Sequence, residues 1–350
     1  MLPLRQWPLL PLHAAALATG SKSFENNPLI GSARLNAWGL HIARRRLALR
    51  MAEFRRRAMA ENLTPDDREA FLRDGYLIKR DFLPAAVFQA MREELFASRI
   101  EAREFIDGYS LTRLIPLDAA TLPRLPATAA ALHHPQYRAL HDYIGSFRLQ
   151  PFQFVQTIYS NFRAAEPDVQ SDFHMDTFHP TVKSWLFVED VSEEEAGFTY
   201  VPGSHLPTAR HLEWEQALSI RAAHAEDRST REGSLRIEPE EIAALGYGAP
   251  VKFAAPANTL VIADTSGFHR RGVTDARTRR IAIWSYARGT PFRPWAGGDV
   301  LGATGLDKRA VRLFWTAQDA LKRARGKTGG WRWVGERSPI DPPAEAATAA

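Results

Sequence analysis

The chain has 350 residues, 45% of them apolar and 24% charged, a balance that fits a globular protein with a sizeable core and excludes collagen, coiled coil or a wholly disordered chain. It contains no cysteine, which removes disulfides, thiol nucleophiles, zinc fingers and iron–sulfur clusters together. The net charge of +5 is unevenly spread, because residues 41–58 hold seven arginines against a single acid, Glu53.

In chain order, Arg5, the apolar run through Leu12 and Ala14–Ala18 loosely resemble a signal peptide, but Pro3, Pro8, Pro11 and His13 interrupt the run. No stretch of 18 apolar residues occurs, so no transmembrane helix and a cytoplasmic location are expected. Residues 1–37, rich in Pro, Gly, Ser and Asn, read as a loop or loosely docked arm. Residues 38–60 read as an amphipathic helix: Leu40, Ala43, Leu47, Met51, Phe54 and Ala58 recur at helical spacing and the arginines fill the remaining circumference. Two roles fit it. The apolar stripe packs on the domain and leaves a solvated basic face, or the basic face touches anionic lipid as a peripheral membrane contact. No nucleic-acid module accompanies the patch, so nucleic acid is not an expected partner.

Thr64-Pro65-Asp66-Asp67 is a helix start, and that helix should stop at Gly75. Tyr76-Leu77-Ile78 reads as a short strand, Pro84 opens a helix to about Arg99, and residues 130–147 read as helical. From Gln150 to Tyr286 the texture changes to short segments rich in β-branched and aromatic residues: Phe152–Tyr159, Ser184–Val188, Phe198–Val201, Thr259–Ile262 and Ile281–Tyr286. Many short strands with turns between them predict a sandwich or barrel, with residues 205–250 as an insertion. Residues 306–325 form a further amphipathic helix, and the tail beyond Pro342 reads as disordered.

Chemistry concentrates at Asp172-Phe173-His174-Met175-Asp176. Residues two apart in a strand share a face, so His174 and Asp176 project together as an imidazole and a carboxylate. Such a pair alone arises by chance about once in a chain of this composition. Three further features accompany it: the element Gly197 to His205 with its Pro202-Gly203-Ser204 turn, the apolar strand Thr259–Asp264 followed by His269, and Arg279-Arg280 entering the strand Ile281–Trp284. Two histidines and a carboxylate on one side of a cation leave three positions open, the donor set of non-haem Fe(II) oxygenases. A buried arginine beyond it could pair bidentately with a dicarboxylate.

With these residues, the sequence resembles the phytanoyl-CoA dioxygenase family of Fe(II)/2-oxoglutarate oxygenases over about residues 62–290. The motifs are Leu63-Thr64 to Gly75-Tyr76, Phe82-Leu83-Pro84, His174-Met175-Asp176, Gly197 to His205, and His269 with Arg280 eleven residues later. The resemblance implies an α+β fold, a double-stranded β-helix (jelly-roll, cupin-like) core with flanking helices. It implies His174, Asp176 and His269 as iron ligands and Arg280 as the clamp on the far carboxylate of 2-oxoglutarate. Strand parity supports Arg280, with Arg279 as the alternative, since Arg280, Ala282, Trp284 and Tyr286 share one face. Trp185 and, more weakly, Thr157 match positions beside the cosubstrate. His179 and His205 read as structural, His133-His134 as surface, and Asp264 and Asp275 as loop or turn residues.

The organisation so implied is an arm and basic helix over 1–60, an oxygenase domain over 61–290 with its jelly roll at about 150–290, a helical extension over 291–341 and a tail over 342–350. The implied reaction consumes 2-oxoglutarate and O2, releases succinate and CO2, and hydroxylates an unactivated C–H bond of a small-molecule or lipid/acyl substrate. Related halogenases carry a small residue in place of the carboxylate, so Asp176 favours hydroxylation. Phe178, Trp284 and Tyr286 are candidates to line an apolar pocket. Two other classes remain open: a non-catalytic jelly-roll binding protein, and a cupin-type metalloenzyme with no use for Arg280. The sequence carries no signal for an oligomeric state.

Overall fold

A computed structural model describes residues 9–166, 168–195, 197–297, 309–326 and 330–344. Eleven strands are present among them: β1 Tyr76–Lys79, β2 Ile100–Asp107, β3 Ser110–Pro116, β4 Phe152–Ser160, β5 Val182–Phe187, β6 Phe198–Tyr200, β7 Val251–Lys252, β8 Leu260–Asp264, β9 His269–Arg271, β10 Thr278–Ala287 and β11 Arg332–Arg337. Eight of them form one antiparallel sheet in the order β1-β8-β5-β10-β4-β3-β2-β11. A second, smaller antiparallel sheet has the order β7-β6-β9 and is widened at His174, which bridges to His269 on one side and Arg236 on the other. The architecture is the expected jelly roll with flanking helices.

Alternation along the strands explains how the large sheet is buried on both faces. Leu186, Leu260, Ile262, Ile281 and Ile283 meet the helices Pro65–Asp74, Ala85–Ala97, Pro126–Leu132 and Pro135–Gly145 in the largest apolar cluster. Residues of the opposite parity, among them Phe187, Val261, Ala263 and Ala282, pack with Tyr200 and Phe253 of the second sheet. The Pro65 helix starts as its sequence predicts, with the Thr64 hydroxyl accepting from Asp67 N at 3.2 Å, and it stops at Gly75 in the left-handed conformation. The single helix expected over 130–147 is two, because Pro135 opens a new one.

Several expectations need correction. The helix Leu40–Arg57 exists, but a face more than a third of a turn away from the expected stripe is the buried one. Its buried face is His41, Ile42, Arg44, Arg45, Ala48, Ala52, Arg55 and Arg56, while Leu47 and Phe54 of the apolar stripe are 45% and 57% exposed. The reason is hydrogen bonding. Arg44 donates to the carbonyls of Leu17, Thr19 and Ser21, Arg55 to those of Ser146, Pro291 and Arg293, and Arg56 to those of Tyr143 and Ile144. Carbonyls of loops and of helix C-termini are thereby paired inside the protein.

Residues 9–37 are a docked arm with helices Leu10–Leu17 and Ala33–Ala37 rather than a loose loop. The C-terminal region contributes the helix Ala310–Ala324, and also strand β11 on the edge of the large sheet, where only helix was expected. Leu306, assigned to that helix, lies outside the described residues. Residues 342–344, read as the start of a disordered tail, are held: fully buried Arg113 donates to the Pro342 carbonyl at 2.7 Å, and Ala344 N donates to Glu104. Residues 345–350 lie outside the described residues.

Candidate metal centre

His174 and His269 face each other across two backbone hydrogen bonds, His174 N to His269 O at 2.9 Å and His269 N to His174 O at 3.0 Å. The ring centroids are 4.4 Å apart. Phe173 and Met175, of opposite parity, are buried with Phe268, Leu235 and Ile237, which turns His174 and Asp176 the other way. Asp176 N donates to Thr265 O at 2.9 Å, so the loop ahead of His269 also fixes the carboxylate. The result matches the predicted set: ligand atoms of His174, Asp176 and His269 all lie within 4.8 Å of one another. Nε2 of His269 is 3.7 Å from Asp176 Oδ2, and Nε2 of His174 is 4.0 Å from Oδ1.

The second ring nitrogen of each histidine defines the tautomer. His174 Nδ1 is 2.8 Å from the Asp172 carbonyl, and His269 Nδ1 is 3.0 Å from the Gly267 carbonyl. A carbonyl can only accept, so Nδ1 carries the proton and Nε2 presents its lone pair. Both Nε2 atoms are buried and without a hydrogen-bond partner among the described residues. Burial, with the neighbouring His269, holds His174 well below the usual imidazole range, and burial lowers His269 to about 4. Burial alone would raise Asp176, but Lys183, His269 and His174 overcome it and hold the carboxylate well below its ordinary value. Two neutral imidazoles and an ionised carboxylate around a gap are the protonation states a divalent metal requires.

A cavity of about 340 Å³ opens in front of this cluster. His174, His269, Lys183, Trp185, Trp284 and Arg280 all border it. Arg280 is 7% exposed, its Nη2 is 3.5 Å from Ser160 Oγ, and its Nη1 has no partner among the described residues. Burial lowers it to about 10, so it is still a cation at neutral pH. Arg279, the alternative, does not border the cavity and pairs with Glu189 at 2.7 Å. Trp185 borders the same cavity, stacked on Phe198 with centroids 4.2 Å apart.

Thr157 does not. Strand β4 turns Gln156 and Ile158 to the cavity, whereas Thr157 faces away and donates to the Pro339 carbonyl at 2.9 Å. Phe178 is also absent from the cavity, being buried against Phe292, His41 and the Arg44 guanidinium. Trp284 borders the cavity, with Tyr286 stacked beside it. His179 and His205 are buried outside the cluster.

Sequence reasoning missed two residues. Lys183 places Nζ 2.6 Å from Asp176 Oδ2, and its signal was available, since it shares strand parity with Trp185. Asp264, read as a loop residue, is a buried hub. Its carboxylate accepts from Arg56 Nη2 at 3.0 Å and from Thr181 N and Ser266 N at 3.1 Å, and this braces the Thr265–Phe268 turn. The turn leaves no room at Gly267, where a Cβ would come within 2.1 Å of the Tyr200 hydroxyl.

The chain is similar in fold to solved structures at low identity. They include the non-heme alpha ketoglutarate dependent epimerase SnoN from nogalamycin biosynthesis (20% identity, 64% of this chain and 84% of that one, TM-score 0.43). HygX from Streptomyces hygroscopicus, with nickel and 2-oxoglutarate bound, is another (15% identity, 65% and 87%, TM-score 0.40). EctD from S. alaskensis with bound Fe is a third (13% identity, 67% and 83%, TM-score 0.40). No curated protein matches the chain in sequence. The sequence model of the family described as Phytanoyl-CoA dioxygenase (PhyH) matches residues 71–236, a stretch that holds His174 and Asp176 and ends before His269 and Arg280. Over residues 71–236 the chain therefore carries the sequence pattern of the phytanoyl-CoA dioxygenase family.

Proposed function

We propose that this chain is a non-haem Fe(II)/2-oxoglutarate-dependent oxygenase that hydroxylates an unactivated C–H bond of a small-molecule or lipid/acyl substrate. His174, Asp176 and His269 hold the iron, and Arg280 holds the far carboxylate of 2-oxoglutarate. One observation carries the reading: two buried imidazole lone pairs and one buried guanidinium nitrogen, all unpartnered among the described residues, border the same cavity. Unpartnered buried polar atoms are costly, and these are the atoms that a metal ion and a diacid would satisfy.

Bound iron with 2-oxoglutarate and O2 supplies the oxidation, in which the keto acid becomes succinate and CO2 and one oxygen atom reaches the substrate. The protein does the rest. The Asp172 and Gly267 carbonyls fix the imidazole rings and their tautomers. Arg280 orients the diacid through charge-assisted hydrogen bonds in a site walled by Trp185 and Trp284, where little water weakens them. Lys183 holds Asp176 ionised and restricts its rotation.

Succinate formation from 2-oxoglutarate on addition of Fe(II), measured beside metal binding, tests this reading. The wild-type chain should bind one metal and make succinate, His174→Ala should do neither, and Arg280→Ala should keep the metal and lose affinity for the diacid. Wild-type metal binding without 2-oxoglutarate binding would point instead to a cupin-type metalloenzyme. A substrate panel read by a gain of one oxygen atom identifies the product.

A second reading concerns location. No helix among the described residues is long and apolar enough to cross a membrane. The outer face of the Leu40–Arg57 helix nevertheless combines exposed Leu47 and Phe54 with exposed Arg46, Arg50 and Arg57. That combination suits peripheral contact with anionic lipid. Co-sedimentation with anionic vesicles at low salt supports it if Leu47→Ser/Phe54→Ser abolishes binding, and absence of wild-type binding rejects it.

A further inference from the structure

The surroundings of Asp176, next to Lys183 at the cavity wall, carry more positive charge than the proposed iron and 2-oxoglutarate would use. Lys183 lies 2.6 Å from Asp176 Oδ2. A second lysine arrives from a distant part of the chain: Lys22 Nζ donates to the Asp176 main-chain carbonyl at 2.5 Å. Two ammonium groups are thus gathered around one residue. Arg288 is exposed and directly follows Ala287, whose ladder partner is Val182, the neighbour of Lys183 in β5. Of the acids that act on Lys22, Asp176 is engaged with Lys183 and Glu232 with Arg228 at 2.8 Å.

The segment bearing Lys22 is held in place. Arg44 grips the Thr19 and Ser21 carbonyls at 3.0 and 2.7 Å, and Phe24 N donates to Arg231 O at 2.9 Å. Gly233 packs so closely that a Cβ there would sit 2.3 Å from the Lys22 carbonyl oxygen. Several polar anchors therefore deliver one lysine, against the desolvation cost of bringing an ammonium into a half-buried place.

Charge and position argue for the same use. Asp176 would be shared between the metal and Lys183, and Glu232 is paired with Arg228, so Lys22 and Arg288 meet little negative charge of their own among the described residues. Each lysine has three donors and uses one on Asp176, so donors remain for a ligand. Lys183 is opposite Tyr286 in the β5–β10 ladder, six residues along β10 from Arg280, which puts their backbones roughly 20 Å apart. The two cationic regions are separate ends of the site.

We infer that Lys22, Lys183 and Arg288 form a subsite for an anionic group of the substrate, a phosphate or a carboxylate, on the Asp176 side of the metal centre and remote from Arg280. The inference rests on the proposed oxygenase reading and adds the class of substrate. The docked arm takes part in recognition because it carries Lys22 to the site.

The test is a titration of the full-length chain, loaded with Ni(II) and saturated with 2-oxoglutarate, with inorganic phosphate, pyrophosphate and acetate in turn. Tryptophan fluorescence and calorimetry give the affinities. The subsite predicts saturable binding of at least one anion, weakened about tenfold or more in Lys22→Ala/Arg288→Ala, with 2-oxoglutarate affinity within about twofold of wild type. Arg280→Ala should show the reverse pattern. Preference for phosphate or pyrophosphate identifies a phosphorylated substrate, and preference for acetate a carboxylate. Equal anion affinity in wild type and the double variant, or no saturable binding at all, overturns the inference while metal and 2-oxoglutarate binding remain intact. Loss of those two in the wild-type chain would instead overturn the oxygenase reading itself.

Discussion

Two sets of buried arginines contrast in this molecule. Arg44, Arg45, Arg55 and Arg56 of the Leu40–Arg57 helix are buried and bound to main-chain carbonyls or to acids such as Glu215 and Asp264. Arg280 of β10 is as deeply buried, yet its Nη1 faces the cavity with no partner among the described residues. The first set holds the fold together. The second is an electrostatic cost that only a ligand offsets. Burial of a cation does not by itself identify a site; whether its donors are satisfied does.

Substitutions should separate the two sets. The largest effect on stability is expected at Glu215, which is fully buried and receives His41 at 2.9 Å, His211 at 3.1 Å and Arg45 at 3.2 Å. Glu215→Ala strands Arg45 and should cost about 3–5 kcal/mol of unfolding free energy in urea titrations, while the folded fraction still binds 2-oxoglutarate. Arg280→Ala should do the opposite. Its melting temperature should hold or rise, and its 2-oxoglutarate affinity should fall by about 10- to 100-fold, equivalent to about 1.5–3 kcal/mol.

Acid should weaken the scaffold. Burial lowers His141 and His205 to about 4 and His179 to about 3. The unfolded chain therefore takes up protons first, and stability is lost as pH falls from about 6.5 to about 4. By pH 5 the loss should be on the order of 1–2 kcal/mol per histidine, read as a falling melting temperature. A melting temperature unchanged across that range would contradict the buried neutral state of these rings. Thr157→Val should cost about 1 kcal/mol through the stranded Pro339 carbonyl, with no change in 2-oxoglutarate affinity. Smallest of all, Arg57→Ala breaks a pair that is 72% and 63% exposed and should leave the melting temperature unchanged.

Much of the site was legible because strand parity is a strict geometric rule. Spacing of two placed His174 with Asp176, and alternation placed Arg280 inside and Arg279 outside. The same rule excludes Thr157, but only once the register of β4 is fixed by its neighbours. The basic helix was misread because an apolar stripe is normally the buried one. Here carbonyls of loops and a helix C-terminus and two acids, all distant in sequence, draw the arginines inward.

Strands β2 and β3 were hidden for a related reason. Their polar Glu104 and Arg113 are fully buried as an ion pair at 2.6 Å, which breaks the hydrophobic alternation by which strands are recognised. Lys22 was beyond reach from sequence, since nothing local says that residue 22 meets residue 176.

The central claim is that positions 174, 176 and 269 share one ferrous ion with a chelated keto acid anchored at position 280. Anaerobic titration with Fe(II) and 2-oxoglutarate, followed by the visible charge-transfer band that forms when a 2-oxo acid chelates ferrous iron, tests it directly. The account predicts a band saturating at one iron and one keto acid per chain, absent in His269→Ala and requiring more keto acid in Arg280→Ala. No band in the wild-type chain, or a full band in His269→Ala, would contradict it.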